Sequence, residues 1–203
     1  DLVRSRGLGD VYKRQTYIMK EELSTKTRTE SDLIGSREIP ESAMYGVQTL
    51  RGIENFRISK FHLNEYPLFI NALAITKMGE AIANSELGLL TGQQTDAILK
   101  ACKEILEGKH HEQFPVDMIQ GGAGTTTNMN ANEVIANRAL EIMGHKRGEY
   151  QYCSPNDHVN RSQSTNDAYP TAIHIGMYYT HLKLVKHFEE LIDAFQRLSL
   201  IHI

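Results

Sequence analysis

Apolar residues recur at helical spacing through much of the chain, and glycines and prolines cut that rhythm into separate stretches. Pro67 opens the first, over residues 68–87, where Ile70, Leu73, Ala74, Lys77, Met78, Ala81 and Ile82 line one mostly apolar face. Gly88 is its expected stop. Thr91 suits the cap of a second helix that turns Ile98, Ala101, Cys102, Ile105 and Leu106 inward and ends at Gly108. Pro115 introduces a loop. A third helix is expected over residues 126–143, with Met129, Val134, Ile135 and Leu140 inward and Gly144 at its end. Residues 150–160 read as loop. A fourth helix is expected to begin near residues 166–170, where Pro170 fits a first turn because its missing N–H costs least there. Along it Ile173, Met177, Leu184, Phe188, Leu191 and Phe195 keep the spacing of a seam that packs on other long helices.

Earlier in the chain the pattern changes. Gly35, Pro40, Gly46 and Gly52 fall at short intervals and favour loops and short strands over a long helix. Residues 16–28 are polar and without a clear period. The expectation is a mainly α fold with a small irregular or β start.

Composition narrows the function classes. The chain has 203 residues, 40% hydrophobic and 23% charged, and its net charge of −3 lacks the basic footprint of a nucleic-acid binder. No apolar run reaches the length of a membrane span, and the beginning lacks the regions of a secretory signal. Cys102 and Cys153 are too few for a disulfide framework, so reduced thiols and a cytoplasmic location are expected.

The ends read as foreign. Leu198-Ser-Leu-Ile-His-Ile203 can be encoded by CTGTCTCTTATACACATC, and the reverse complement of that DNA translates as Asp10-Val-Tyr-Lys-Arg-Gln15. The DNA resembles a transposase adapter used in sequencing libraries. Residues 1–15 and 198–203 are therefore expected to be adapter translation. That leaves an amino-terminal domain over 16–160 and the start of a helical bundle over 161–197.

Two polar runs carry the candidate chemistry. Gln120-Gly-Gly-Ala-Gly-Thr-Thr-Thr-Asn-Met-Asn130 places Gly121, Gly122 and Gly124, which permit close backbone approach, ahead of hydroxyls and amides. Ser162-Gln-Ser-Thr-Asn-Asp-Ala-Tyr-Pro170 sets Ser164, Thr165, Asn166 and Asp167 before the fourth helix. Helix starts rich in neutral donors suit anions, here a small carboxylate. Taken singly, each run also fits a helix cap with no further role. No Lys-Ser or Lys-Thr follows the glycines, as a Walker phosphate loop would require, and GxGxxG is absent. Asn156, Asp157 and His158 lie in a further run, where a structural turn competes with a catalytic Asp–His pair. His110, His111, His174, His181 and His187 lack the carboxylate spacing of a metal set. Asn160-Arg-Ser162 matches a glycosylation sequon and is read as a chance match.

At these residues the sequence resembles the aspartase/fumarase superfamily. The resemblance is carried by Gly35-Ser-Arg-Glu-Ile-Pro40, Tyr45-Gly-Val-Gln-Thr-Leu-Arg51, Glu54-Asn-Phe56 and Phe114-Pro-Val-Asp-Met-Ile-Gln-Gly-Gly-Ala-Gly-Thr125. It continues through Asn128-Met-Asn130, Asn132-Glu-Val-Ile-Ala-Asn137, Gly148-Glu-Tyr-Gln-Tyr152, Asn156-Asp-His-Val-Asn160 and Ser162 to Pro170. Gly121-Gly-Ala-Gly-Thr125 and Ser164-Thr-Asn166 are similar to the ammonia-lyase branch, where fumarases carry Thr-Gly-Ser-Gly-Thr and Ser-Ser-Asn. Thr126-Thr127 stands where that branch has Ser-Val, and the hydroxyl is kept.

The resemblance implies reversible deamination of L-aspartate to fumarate through an aci-carboxylate intermediate, and the two neutral polar runs suggest a site with no metal and no organic cofactor. It implies that Thr125, Ser164 and Thr165 grip the β-carboxylate and that Asn166, with Thr125, meets the amino group. Asn156 and Asp157 match a loop that forms a secondary anion site in fumarases. The family's general base, a serine in a glycine-rich loop, lies downstream of these residues, so no catalytic residue is assigned here and the chain alone is expected to be inactive. The resemblance further implies a homotetramer, and the net charge and the lack of a long apolar run predict no nucleic-acid or membrane partner. A class II fumarate hydratase and a non-catalytic helical assembly module are the alternatives.

Overall fold

The computed structural model describes residues 26–119 and 123–202. The chain divides into two units, the first ending at Ala43 and the second running from Met44.

In the first unit β1 (Thr27–Asp32) and β2 (Gly35–Pro40) form an antiparallel hairpin whose register runs from Thr27 opposite Pro40 to Asp32 opposite Gly35. Asp32 Oδ1 accepts from the N–H groups of Ile34 and Gly35 and closes the turn, at 2.9 and 3.1 Å. Of the polar stretch 16–28, residues 16–25 lie outside the described residues, and Thr27 and Arg28 belong to β1.

The second unit is built from α1 (Val47–Asn55), α2 (Pro67–Glu86), α3 (Gly92–Leu106), α4 (Thr125–Ile142) and α5 (Thr165–His202). α1 is a correction to the glycine-based expectation. Gly46 is its N-cap and Gly52 its point of closest packing, since a Cβ on Gly52 would run into the Thr126 side chain. The glycine here permits helix-on-helix approach; it does not break the helix. Thr91 caps α3 through a reciprocal box with Gln94.

α2, α3 and α4 share one apolar core in which Ile70, Leu73, Ile98, Ile105, Val134 and Leu140 are buried. One expectation for α2 fails, since Ile82 faces solvent, whereas Lys77 is fully buried with the apolar face on which its spacing puts it. α4 is the central element, buried without interruption from Thr127 to Asn137. Its expected apolar stripe therefore understates it, because a helix at the centre must satisfy every side. The polar residues do so in part by hydrogen bonding through their NH2 groups, while Oδ1 of Asn128, Asn130 and Asn132 has no partner among the described residues. Asn130 donates to Gln113 O at 3.0 Å, and Asn137 donates to Met44 O at 2.7 Å and accepts from Gly148 N at 2.9 Å.

α5 packs against α2 along its first part, and farther on Met177, Leu184, Phe188, Leu191 and Phe195 are exposed. Residues 198–202 continue that helix, while residues 1–15 lie outside the described residues. No helix among the described residues is long and apolar enough to cross a membrane.

Candidate active-site wall

Segment 114–118 leads toward the glycine run and is pinned before it arrives there. Leu63 N donates to Val116 O and Met118 N to Phe61 O, at 2.9 and 3.0 Å. Asp117 accepts from Ile58 N, Ser59 N, Ser59 Oγ and Ile119 N at 2.7–2.9 Å. Burial alone would raise its pKa, but the N–H of Ile119 and the donors of Ser59 and Ile58 outweigh that and hold it at about 2.

Gly121 and Gly122 lie outside the described residues. Gly124 caps α4 at φ 81°, and a Cβ there would sit 2.5 Å from ring carbons of Tyr169. Tyr169 belongs to the start of α5, so the glycine lets one helix start lie directly on the other. Phe69 of α2 backs the same ring edge-on, with centroids 5.7 Å apart.

Thr125 opens α4 and is exposed, whereas Thr126 turns toward α1. At α5, Ser164 Oγ accepts from Asn166 N at 3.2 Å, and Ser164 O accepts from Asp167 N and Ala168 N, each at 3.0 Å. Ser164 and Asn166 are exposed and Thr165 is half-buried. Thr165 Oγ1 accepts from Asn128 Nδ2 at 3.2 Å, which ties α5 to the first turn of α4. A hydroxyl whose oxygen accepts keeps its own proton to give. Ser164 and Thr165 can therefore both donate to an oxyanion.

Asn156 and Asp157 belong to a different element, the single wide turn Pro155–Val159, and both are exposed. Ser154 Oγ accepts from Asp157 N and donates to Asp157 Oδ2. His158 Nδ1 accepts from Ser154 N at 2.8 Å, which requires that nitrogen to be unprotonated, and burial lowers the ring's pKa against the pull of Asp157. Asp157 and His158 each bond back to Ser154, the arrangement of a turn.

Behind the wall lies a buried network that the sequence pattern did not single out. Asn160 Oδ1 accepts from Asn128 Nδ2, Asn132 Nδ2 and Lys77 Nζ at 3.0–3.1 Å. Lys77 Nζ also donates to Gln163 Oε1. Burial draws the Lys77 pKa down to about 8, opposed by Glu80, whose Oε2 lies 3.5 Å away. A lysine within the apolar face of α2 was the available signal. Asn160, the sequon asparagine, is the hub of this network.

Cys102 and Cys153 are free and buried, and burial pushes both thiols up to about 12. Among the described residues no group of three or more His, Cys, Asp or Glu could hold a metal ion.

A family model described as "Lyase" matches residues 35–203. The chain is 56% identical over 168 residues to the aspartate ammonia-lyase of Helicobacter pylori (strain J99), covering 83% of this chain and 36% of that protein. Two solved structures are similar. One is a fumarate lyase:delta crystallin from Brucella melitensis bound to cobalt, with TM-score 0.83, 50% identity, and 84% of this chain and 37% of that chain covered. The other is a class II fumarase from Schistosoma mansoni, with TM-score 0.69, 37% identity, and 74% and 32% covered. The chain thus spans a little over a third of the length of the curated relatives it matches.

Proposed function

The chain belongs to the lyase family whose model it matches over residues 35–203, and from that membership we infer that it is part of a carbon–nitrogen lyase converting L-aspartate reversibly to fumarate and ammonia. The reaction breaks a Cβ–H and a Cα–N bond, and the released electron pair becomes the Cα–Cβ double bond. The Cβ proton is weakly acidic. Its removal puts a second negative charge on the adjacent carboxylate, giving an aci-carboxylate dianion. Fixed donors must meet that charge, and loss of one such donor costs about 2.7–4 kcal/mol.

The single structural observation supporting this reading is the hydrogen bond from Asn128 to Thr165, which joins the two polar helix starts and leaves the Thr165 proton free to donate. In the proposed complex Thr125, Ser164 and Thr165 hold the β-carboxylate, and Asn166, with Thr125, meets the amino group. Asn156 and Asp157 would form a separate, secondary anion site. The general base is a serine in the remainder of the polypeptide, and the site is completed by other subunits of a cytoplasmic homotetramer. The chain by itself is therefore inactive in this proposal, and no step is assigned to a metal or an organic cofactor.

The experiment is an assay of the purified full-length polypeptide, free of host enzyme, on L-aspartate and on L-malate. Equal amounts of fumarate and ammonia from L-aspartate are expected. Fumarate from L-malate alone would replace the proposal with a hydratase, and turnover of neither would favour an assembly module.

A further inference from the structure

The Lys77 ammonium is fully buried with Glu80 Oε2 3.5 Å away, and its shorter contacts are hydrogen bonds to the side-chain amides of Asn160 and Gln163. A buried charge is costly, and Glu80 offsets part of that cost, so the turning of its closest hydrogen bonds toward two amides calls for a reason. The direction of the hydrogen bonds supplies one. Asn160 can turn its amide either way, and Lys77 has only protons to offer. Lys77 therefore forces Oδ1 of Asn160 inward and sends Nδ2 to Gln163 O at 3.2 Å. With that oxygen facing α4, Asn128 must present its NH2 group, one hydrogen to Asn160 and the other to Thr165 Oγ1. Thr165 is left as an outward donor. Turning the Asn128 amide round would make Thr165 Oγ1 a donor to Asn128, its proton spent inside the protein.

The backbone between the hub and the helix carries matching strain. Ser162 has φ 61°, a left-handed conformation that is strained for a non-glycine residue. It lies between Asn160 and Gln163, the two residues held by Lys77. Asn84 of α2 also holds this loop, its Nδ2 donating to Arg161 O at 2.8 Å.

We propose that Lys77 is a positioning residue for carboxylate recognition, fixing the polarity of the relay Asn160–Asn128–Thr165 so that the Thr165 hydroxyl donates to the substrate. The proposal rests on the lyase reading for its substrate and on the hydrogen-bond network for its mechanism.

The test is a double-mutant cycle in the full-length polypeptide between Lys77→Met and Thr165→Val, with L-aspartate as substrate and succinate as a competing dicarboxylate. Lys77→Met is expected to lower kcat/KM and to weaken succinate roughly 10- to 100-fold. The double variant is expected to be no worse than Thr165→Val alone, since both act on one donor. A merely structural lysine would lower the unfolding midpoint and leave kcat/KM of the folded protein unchanged. That result, or additive losses in the cycle, overturns the proposal. Should Lys77→Met fail to fold, Asn160→Leu, which removes the acceptor that orients Asn128, takes its place, with the same non-additivity expected. Hydrogen exchange of the Thr165–Ala168 amides separates the two inferences. If the wild type turns over neither substrate, the lyase reading falls, and faster exchange of those amides in the lysine variant still supports the relay. Unchanged exchange overturns the relay whatever the activity.

Discussion

Single residues decide whether the two helix starts meet. Gly124→Ala places a methyl group 2.5 Å from the Tyr169 ring at a φ of 81°. Overpacking costs about 1–3 kcal/mol and the left-handed backbone about 1–2 kcal/mol more. A loss of roughly 2–5 kcal/mol in chemical denaturation is expected, and Tyr169→Ala in the same background should recover the steric part alone. Asp117 makes a prediction of different character. Its folded pKa of about 2 lies below the ordinary 3.8. The stability it confers is thus complete above about pH 4 and lost as the pH falls toward 2. Asp117→Asn should lower the urea midpoint at neutral pH and flatten the acid limb in that window. Parallel acid limbs in the two proteins would mean that other carboxylates govern the response.

Elements repeat the lesson that burial and hydrogen bonding overrule a simple stripe. α2, α3, α4 and α5 were legible because their apolar spacing, Pro67, Thr91 and the terminal glycines all act locally. α1 was not, because the need for Gly52 comes from Thr126, distant in sequence. The hydroxyl clusters were legible as helix starts. The relay behind them was not, since it joins residues of α2, α4 and the loop before α5 that only the fold brings together. α1 depends on such a distant group as well. Glu133 of α4 accepts from Gly46 N and Thr49 N through Oε2 and from Gln48 N through Oε1, at 2.8–3.0 Å. Burial pushes its pKa upward, and the side chain of Thr49 and the N–H groups of Gln48, Thr49 and Gly46 oppose that. Glu133→Gln turns an NH2 group toward donors that have no other acceptor in the first turn. A loss of about 2–4 kcal/mol is expected. Hydrogen exchange should open first in Val47–Asn55, where a purely global loss would raise exchange evenly.

For the whole molecule, the open question is what covers the far part of α5. Met177, Leu184, Phe188, Leu191 and Phe195 are between 49% and 63% exposed. A groove of about 730 Å3 beside them is lined by Tyr66, Leu68, Phe69, Ile173, Met177 and Leu184, among others. Full burial of one such side chain is worth about 1.5–3 kcal/mol. Covering the remaining half of five of them gives roughly 4–7 kcal/mol per chain, and both chains gain in self-association. The cost of associating is about 4–15 kcal/mol. The two are comparable, so the isolated chain should associate reversibly and weakly, without forming a tight dimer. Sedimentation velocity is expected to show an average mass that rises with concentration in the micromolar range. Leu184→Glu with Phe188→Lys removes apolar surface and adds an i,i+4 pair in its favourable orientation. That variant should remain monomeric with undiminished helix content. If it associates as the parent chain does, the exposed stripe is not the adhesive surface.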